Sequence, residues 1–310
     1  MSQFLAFVFF VGLFGSHTVT VDAATSIQRT ADRDVIDQQS GAPLDMRRMM
    51  DAITRVPVVL IGEIHDNAAH HLRQAAIIDA LVANGRKPVI VFEMFRASEA
   101  SLIEAWNAGA PDARDQIGTW WEASGWPAFA LYEPIFTIAA RHGLKIAHSE
   151  ARGDAAARKQ TGDDLLSRAP LTDAQTTALL AGLKTSHCDL LPEAMLPRMA
   201  RAQRRRDALL AASVAQRLDS GDGEENGDGG VVVIAGSGHT RADRGIPHYL
   251  RALGIASVSI QLTEEGSSSV LEGRGERPDV GRFIWTTPAP ERDDPCVELR
   301  KMFGGGAKAE

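Results

Sequence analysis

Apolar and polar positions alternate in blocks along this chain, and the blocks read as strands and helices in turn. Val56–Ile61 is a short, mostly β-branched run, the pattern of a strand buried on both faces of a parallel sheet. Ala68–Val82 follows with Ala75, Ile78 and Val82 on one helical face, and Asn84-Gly85 is a stop signal. Pro88 opens a second strand, V-I-V-F, ending in Glu93. Helical stretches near 98–108, 112–123 and Ala128–Arg141 lead to a third strand, Leu144–Ala147, which ends in His148-Ser149-Glu150. Residues 151–219 read as mostly helical, with breaks near Gly162, Pro170 and His187–Pro192. A fourth strand, V-V-V-I-A, runs into Gly236-Ser237-Gly238-His239, then come a helix near 246–253 and a strand at 256–262. Strands separated by helices predict an α/β fold, a largely parallel sheet with helices on both faces. The helices of 151–219 exceed simple crossovers and predict a helical insertion or cap within an α/β domain of 51–262. Residues 24–50 read as a flexible lead-in and Asp219–Gly230 as a polar surface loop. The tail, 263–310, reads as irregular except for a short edge strand at Phe283-Ile284-Trp285.

The polar groups collect where strands end, and ligands of open α/β sheets bind beyond the carboxyl ends of the strands. The first strand runs into G-E-I-H-D-N-A-A-H-H. Glu63 and His65 are two apart, so in extended chain they leave the same face. Asp66 is a candidate N-cap, with His70 and His71 in the first turn of the helix, where the dipole disfavours imidazolium. Glu63, His65, Glu93 and His239 are therefore expected to converge as two carboxylates and two imidazoles. That set suits acid–base catalysis or a metal such as Mn or Zn. His148 and Glu150 end the third strand beside them, and Gly236-x-Gly238 offers close backbone approach and amide donors for an anion.

Composition adds bounds. Hydrophobic content of 44% and charged content of 24% are those of a globular protein; a net charge of −7 without a basic run gives no reason to expect nucleic acid. Residues 4–15 form an apolar core of signal-peptide length, and Val21-Asp22-Ala23 offers small residues for cleavage, so residues 1–23 are expected to direct export. The weak feature is Met1-Ser2-Gln3, which carries no cation. Cys188 and Cys296 either pair in an oxidising compartment or are two unrelated buried thiols. Pairing would close a loop of about a hundred residues, worth roughly 4–5 kcal/mol.

The strand-end motifs also carry a resemblance. G-E-I-H-D followed by H-H-x-x-Q, F-E-M at the next strand end and G-S-G-H late in the chain resemble the ChaN family of haem-binding bacterial proteins. The family is grouped with Tiki and erythromycin-esterase-like proteins. The likeness spans roughly residues 50–262 and includes S-G-W-P-x-F-x-x-Y-x-P at 124–134 and H-C-x-x-L-P with its continuation from His187 to Asp207. The resemblance implies a haem-binding envelope protein serving haem or iron uptake, with an outer-membrane haem receptor as a partner. It also implies a tyrosine ligand and haems held between two protomers of a homodimer. No cysteine precedes Cys188, so a lipobox is lacking and a soluble periplasmic form is expected.

The residues themselves agree with a flat apolar ligand. Trp106, Trp120, Trp121 and Trp126 fall within about twenty residues, with Phe129, Tyr132 and Phe136 just after; such density also serves core packing. Haem needs apolar walls, an axial donor and cations for its propionates. Tyr132, beside Trp126, is the candidate ligand, with His70, His71 and His148 as alternatives, while Tyr249 reads as packing. In the helix Ala194–Leu218 an inward stripe of Met195, Met199, Ala202, Leu209, Leu210 and Ser213 includes Arg206, bordered by Gln203 and Asp207. Arg206 either reaches water along the stripe's edge or pairs with a site carboxylate or propionate. The second reading is a Tiki-like metal-dependent hydrolase, with Glu63, His65, Glu93 and His239 activating a metal-bound water.

Overall fold

The computed structural model describes residues 35–220, 229–266, 281–294, 296–297 and 300–301. The expected signal segment and most of the 219–230 loop lie outside the described residues. The elements follow the expected alternation. After β1 (Val35–Asp37), β2 (Ala42–Leu44) and α1 (Met46–Ile53) come β3 (Val58–Glu63), α2 (Ala68–Ala83) and β4 (Val89–Phe92). Three helices follow, α3 (Ala100–Asn107), α4 (Ala113–Ala123) and α5 (Phe129–His142), and then β5 (Ile146–His148). The helical segment consists of α6 (Ala155–Arg168), α7 (Asp173–Ser186) and α8 (Leu196–Asp219). The chain closes with β6 (Val231–Gly236), α9 (Ile246–Ala252), β7 (Ser257–Glu264) and β8 (Phe283–Thr287).

One 8-stranded sheet results, in the order β2-β1-β8-β7-β3-β6-β4-β5. The strands from β8 to β5 are parallel, and β1 joins β8 and β2 in antiparallel fashion. The chain goes from β3 to β4 and β5, returns to fill the gap with β6, and then crosses β3 to add β7. The carboxyl ends of β3, β6 and β4 thus lie side by side at the reversal of strand order, where α/β sheets bind ligands.

Strand periodicity sorts the core into two layers. Val59, Ile61, Ile90, Phe92, Val232 and Ile234 pack with α1, α2, α4 and α5 on one face. Val58, Leu60, Val89, Val91, Val231 and Val233 pack with α6, α8 and α9 on the other. Helices α7 and α8 meet in a smaller cluster of Leu179, Leu183, Leu191, Leu196 and Ala200, the expected insertion. At the amino edge of the sheet the buried Arg86 donates to the carbonyls of Ile53, Val56, Pro57 and Gly229, a wedge that fixes where β3 begins.

Several expectations change. Residues 35–50, expected as part of a flexible lead-in, are a hairpin and a helix, because β1 pairs with β8 and Asp37 holds Arg282 through two hydrogen bonds of 3.1 and 2.9 Å. For the same reason β8 is an interior strand rather than an edge, and the tail is only partly irregular. Gly162 does not break α6: it is buried where the helix touches α8, and a Cβ there would stand 3.3 Å from Arg205 Cγ. Asn67, not Asp66, caps α2, its side chain accepting from Ala69 and His70 N–H. Cys188 and Cys296 are joined as a disulfide. Among the described residues, no helix is long and apolar enough to cross a membrane.

Candidate functional site

The four strand-end residues gather as two adjoining pairs, Glu63 with His65 and Glu93 with His239, which meet across Gly236. Glu63 shares its sheet face with Val59 and Ile61, whereas Glu93 shares the opposite face with Val89 and Val91. Each carboxylate therefore meets a different set of helices.

On the α2–α5 side, Glu63 is buried among four donors. His65 Nδ1 lies 2.8 Å from its Oε1, and the Tyr132 hydroxyl donates to the same oxygen at 2.6 Å. Gln74 Nε2 donates to Oε2 at 2.5 Å, with His71 Nδ1 3.4 Å away. Burial alone would raise the Glu63 pKa, but His65 and His71 hold it well below the usual carboxylate range. The H-H-x-x-Q pattern has a local cause. His71 Nε2 meets the His65 carbonyl at 3.0 Å, and its Nδ1 meets Gln74 Oε1 at 3.0 Å. Both ring nitrogens face acceptors, so despite burial the His71 pKa is raised by Glu63. The adjacent His70 accepts from Ile64 N–H at 2.9 Å through Nδ1, and burial depresses it to about 4. One histidine of the pair thus favours the charged form and the other the neutral form, and both clamp the loop that carries His65.

On the α8 side, His239 lies between two carboxylates. Nδ1 meets Asp207 Oδ1, and Nε2 lies 3.1 Å from Glu93 Oε1. Burial would lower the His239 pKa, but Glu93 and Asp207 push it up to about 10. Burial tends to raise Glu93, yet chiefly His239 brings it down to about 2, while burial raises Asp207 to about 6. Arg206 Nη1 stands 3.5 Å from Glu93 Oε1 and is about half exposed. The amides expected for an anion are partly spent inside the site, since Gly236 N–H donates to Glu93 Oε2 at 2.8 Å and Ser237 N–H to the Glu63 carbonyl at 2.8 Å.

The two halves touch at glycines. A Cβ on Gly62 would lie 2.2 Å from Thr240 Oγ1, and one on Gly236 would lie 2.9 Å from His65 Nε2. These positions allow β3, β6 and the His65 ring to approach as they do. The expected four-residue metal set is not formed, because sheet parity separates the carboxylates and protein donors occupy their oxygens. Among the described residues, no group of three or more His, Cys, Asp or Glu is arranged to hold a metal ion.

Beside this network lies a cleft of about 520 Å³, a size typical of small-molecule sites. Trp120, Trp126, Met94 and Leu209 supply apolar walls, and Arg96, Arg205 and Arg206 supply cations. Glu93, Glu99 and Glu150 also line it. The aromatic segment has divided its work. Trp121 is fully buried against Phe92, Phe95, Tyr132 and Phe136, and Trp106 packs on Phe136. Trp120 and Trp126 face the cleft. Tyr132, the expected iron ligand, is fully buried with its hydroxyl committed to Glu63, and burial and that carboxylate raise its pKa. His70 and His71 are also fully buried, and Tyr249 packs in the core as expected. His148 lies at the end of β5, its Nδ1 buried, and burial lowers its pKa.

Asp207 is the functional side chain that the sequence undervalued. The buried residues of α8 are Leu196, Ala200, Asp207, Ala208, Leu210, Ala211, Ala212, Ser213 and Val214. Leu210 and Ser213 of the expected stripe are thus buried, Met195 is exposed, and Asp207 lies inside the stripe rather than at its border. An aspartate on that stripe requires a buried partner, which His239 provides.

A family profile and one solved structure agree with this architecture. The sequence profile of the family described as haem-binding uptake, Tiki superfamily, ChaN, matches residues 49–250. A solved structure of cofacial haem binding to ChaN of Campylobacter jejuni aligns with a TM-score of 0.56 at 18% identity, over 82% of this chain and 96% of that one. At that identity the likeness is one of fold. The type III effector HopBA1 aligns with a TM-score of 0.41 at 14% identity, over 78% of this chain and 92% of its own. An erythromycin esterase, EreC, in its open conformation gives 0.37 at 15% identity, over 83% of each chain. No curated protein sequence matches the chain.

Proposed function

This chain belongs to the ChaN family of the Tiki superfamily, described as haem-binding uptake proteins, and from that membership we propose that it binds haem in the cleft between Trp126 and Arg206. The observation that carries the reading is the combination of indole walls and arginines at the carboxyl edge of the sheet. Trp120, Trp126, Met94 and Leu209 suit the faces of a macrocycle, and Arg96, Arg205 and Arg206 suit its two propionates. Haem supplies an iron centre that takes axial donors from the protein. Every other feature of the site is the chain's own: Asp207 and His239 hold Glu93, which lines the cleft, and Glu63, held by Gln74 and Tyr132, orients the His65 ring against Trp126.

The biological setting follows as part of the same proposal. The apolar segment at residues 4–15 and the Cys188–Cys296 bond support an exported protein of an oxidising envelope compartment, serving haem or iron uptake. The cofacial arrangement described for the Campylobacter jejuni protein motivates a homodimer formed around paired haems. Titrating purified protein with haemin tests the reading. A saturable Soret shift with quenching of tryptophan fluorescence is expected, and light scattering would read a doubled mass on saturation. Absence of any Soret shift at micromolar protein would remove the proposal.

A further inference from the structure

The helices beside the cleft run against the overall charge of the chain. The whole carries −7, yet α8 holds six arginines to two aspartates, and α6 three basic residues to two aspartates. We propose that the arginine face of α8 is an electrostatic entrance: Arg198 and Arg201 draw a carboxylate-bearing ligand toward the cleft, where Arg205 and Arg206 receive it. On the haem reading of the cleft, on which this rests, that ligand is the macrocycle with its two propionates.

Helical spacing places the entrance. Arg198, Ala202, Arg205 and Leu209 follow one another at intervals of four, three and four, so they share one face of α8. Ala202, Arg205 and Leu209 line the cleft, and Arg198 continues their row outward, about 10 Å along the axis from Arg205. Arg198 is exposed. Arg201 flanks the row, four residues before Arg205, and its side chain is 71% exposed.

The positive charge of this face is only partly cancelled. Asp163 meets Lys159 at 3.6 Å and Arg201 and Arg205 at 3.5 Å each, so three cations surround one carboxylate. The acids that line the cleft have partners of their own. Glu93 lies 3.1 Å from His239 Nε2, Glu150 lies 3.4 Å from Arg158 Nε, and Glu99 accepts from Arg96 N–H at 2.8 Å. A carboxylate arriving from solvent therefore meets an excess of guanidinium on α8, a group whose planar fork matches it. Exposed charges of this kind speed encounter and add little to the seated complex, because water and salt screen them.

Stopped-flow mixing of the purified protein with haemin, followed at the Soret band across a range of salt, tests the entrance. Arg198→Gln combined with Arg201→Gln is expected to slow association about three- to tenfold at about 10 mM ionic strength, where charges act over roughly 30 Å. The difference should close at about 1 M salt, and dissociation should keep its wild-type rate. Arg47→Gln combined with Arg48→Gln makes the same change in net charge at exposed positions of α1, on the opposite face of the sheet, and should leave both rates unaltered. Haemin dimethyl ester, which lacks the free carboxylates, should associate no more slowly with the α8 variant than with the wild type. Association indifferent to the α8 pair, slowed equally by the α1 pair, or slowed equally for the ester would overturn the proposal. A change confined to dissociation would overturn it as well, since Arg198 and Arg201 would then belong to the seat. A wild-type protein with no Soret shift at all would instead remove the haem reading beneath it.

Discussion

The Tyr132 hydroxyl donates a 2.6 Å hydrogen bond to Glu63 across two elements far apart in sequence, joining α5 to the end of β3. Both groups are buried, so the bond has no solvent to replace it. Tyr132→Phe keeps the ring packed against Trp121 and His71 but removes one donor from a charged carboxylate. A loss of about 1–3 kcal/mol is expected in denaturant unfolding, with the overall fold retained by circular dichroism. A change below about 0.5 kcal/mol would mean that Glu63 does not depend on the phenol.

The opposite face of the sheet holds a different device. His239→Ala leaves Asp207 and Glu93 buried with their shared cation gone, and the expected cost is about 3–5 kcal/mol at neutral pH. The sign of the pH dependence follows from His239 being raised from 6.5 to about 10. Its contribution is fully present below pH 6.5, where the unfolded chain also binds the proton. It declines by up to about 1.4 kcal/mol per pH unit as pH rises toward 10. Unfolding measured at pH 6.5, 8 and 10 should therefore show the wild type converging on the variant, and parallel curves would contradict the charged pair.

The acid side is governed by a neutral histidine. His70 is held at about 4 by burial, with the Thr263 backbone, Glu264, Glu63 and His71 around it. Folding must keep it uncharged where the unfolded chain would protonate it. Its effect is absent above pH 6.5 and becomes a penalty as pH falls through the window from 6.5 to 4. That penalty grows by up to about 1.4 kcal/mol per unit. His70→Asn offers an acceptor without a titrating ring. It should flatten the loss of stability between pH 6.5 and 4 relative to wild type, and an unchanged slope would show that another group sets it.

The sequence was legible wherever local rules decide. The parallel core strands, α2 through α5 and the insertion follow from apolar runs and stop signals, and strand-end polarity marked Glu63, His65, Glu93 and His239. Tertiary pairing decided the rest. The three residues of β1 carry almost no local signal, and only β8 makes them a strand. Asp66 and Asn67 are both competent caps, and Asn67 wins because its amide also reaches Glu264 and the Pro288 carbonyl. The expected metal cluster failed on parity. Glu63 and Glu93 both end strands, but each points to the face of its own odd-numbered neighbours, and those faces are opposite. Sequence alone does not show how β3 and β4 are aligned across β6, so it could not separate them.

The tail supplies the last test. After β8 it crosses the carboxyl edge of the sheet. The Asn67 amide holds the Pro288 carbonyl at 3.2 Å, Arg292 pairs with Asp66 at 3.2 Å and with Glu264, and Cys296 bonds to Cys188 between α7 and α8. Cross-links spaced 108 residues apart restrict the unfolded chain strongly, and losing a native disulfide typically costs about 2–5 kcal/mol. The double variant Cys188→Ser, Cys296→Ser should lose stability in that range. The ion pairs of Arg292 are partly exposed and screened, so they cannot replace the bond. Reduction with dithiothreitol should produce the same loss in the wild type and none in the double variant. Limited proteolysis should then cut the tail after Thr287 well before the α/β core. Equal resistance of oxidised and reduced protein, at equal midpoint in guanidinium, would show that the tail is held by its polar contacts alone.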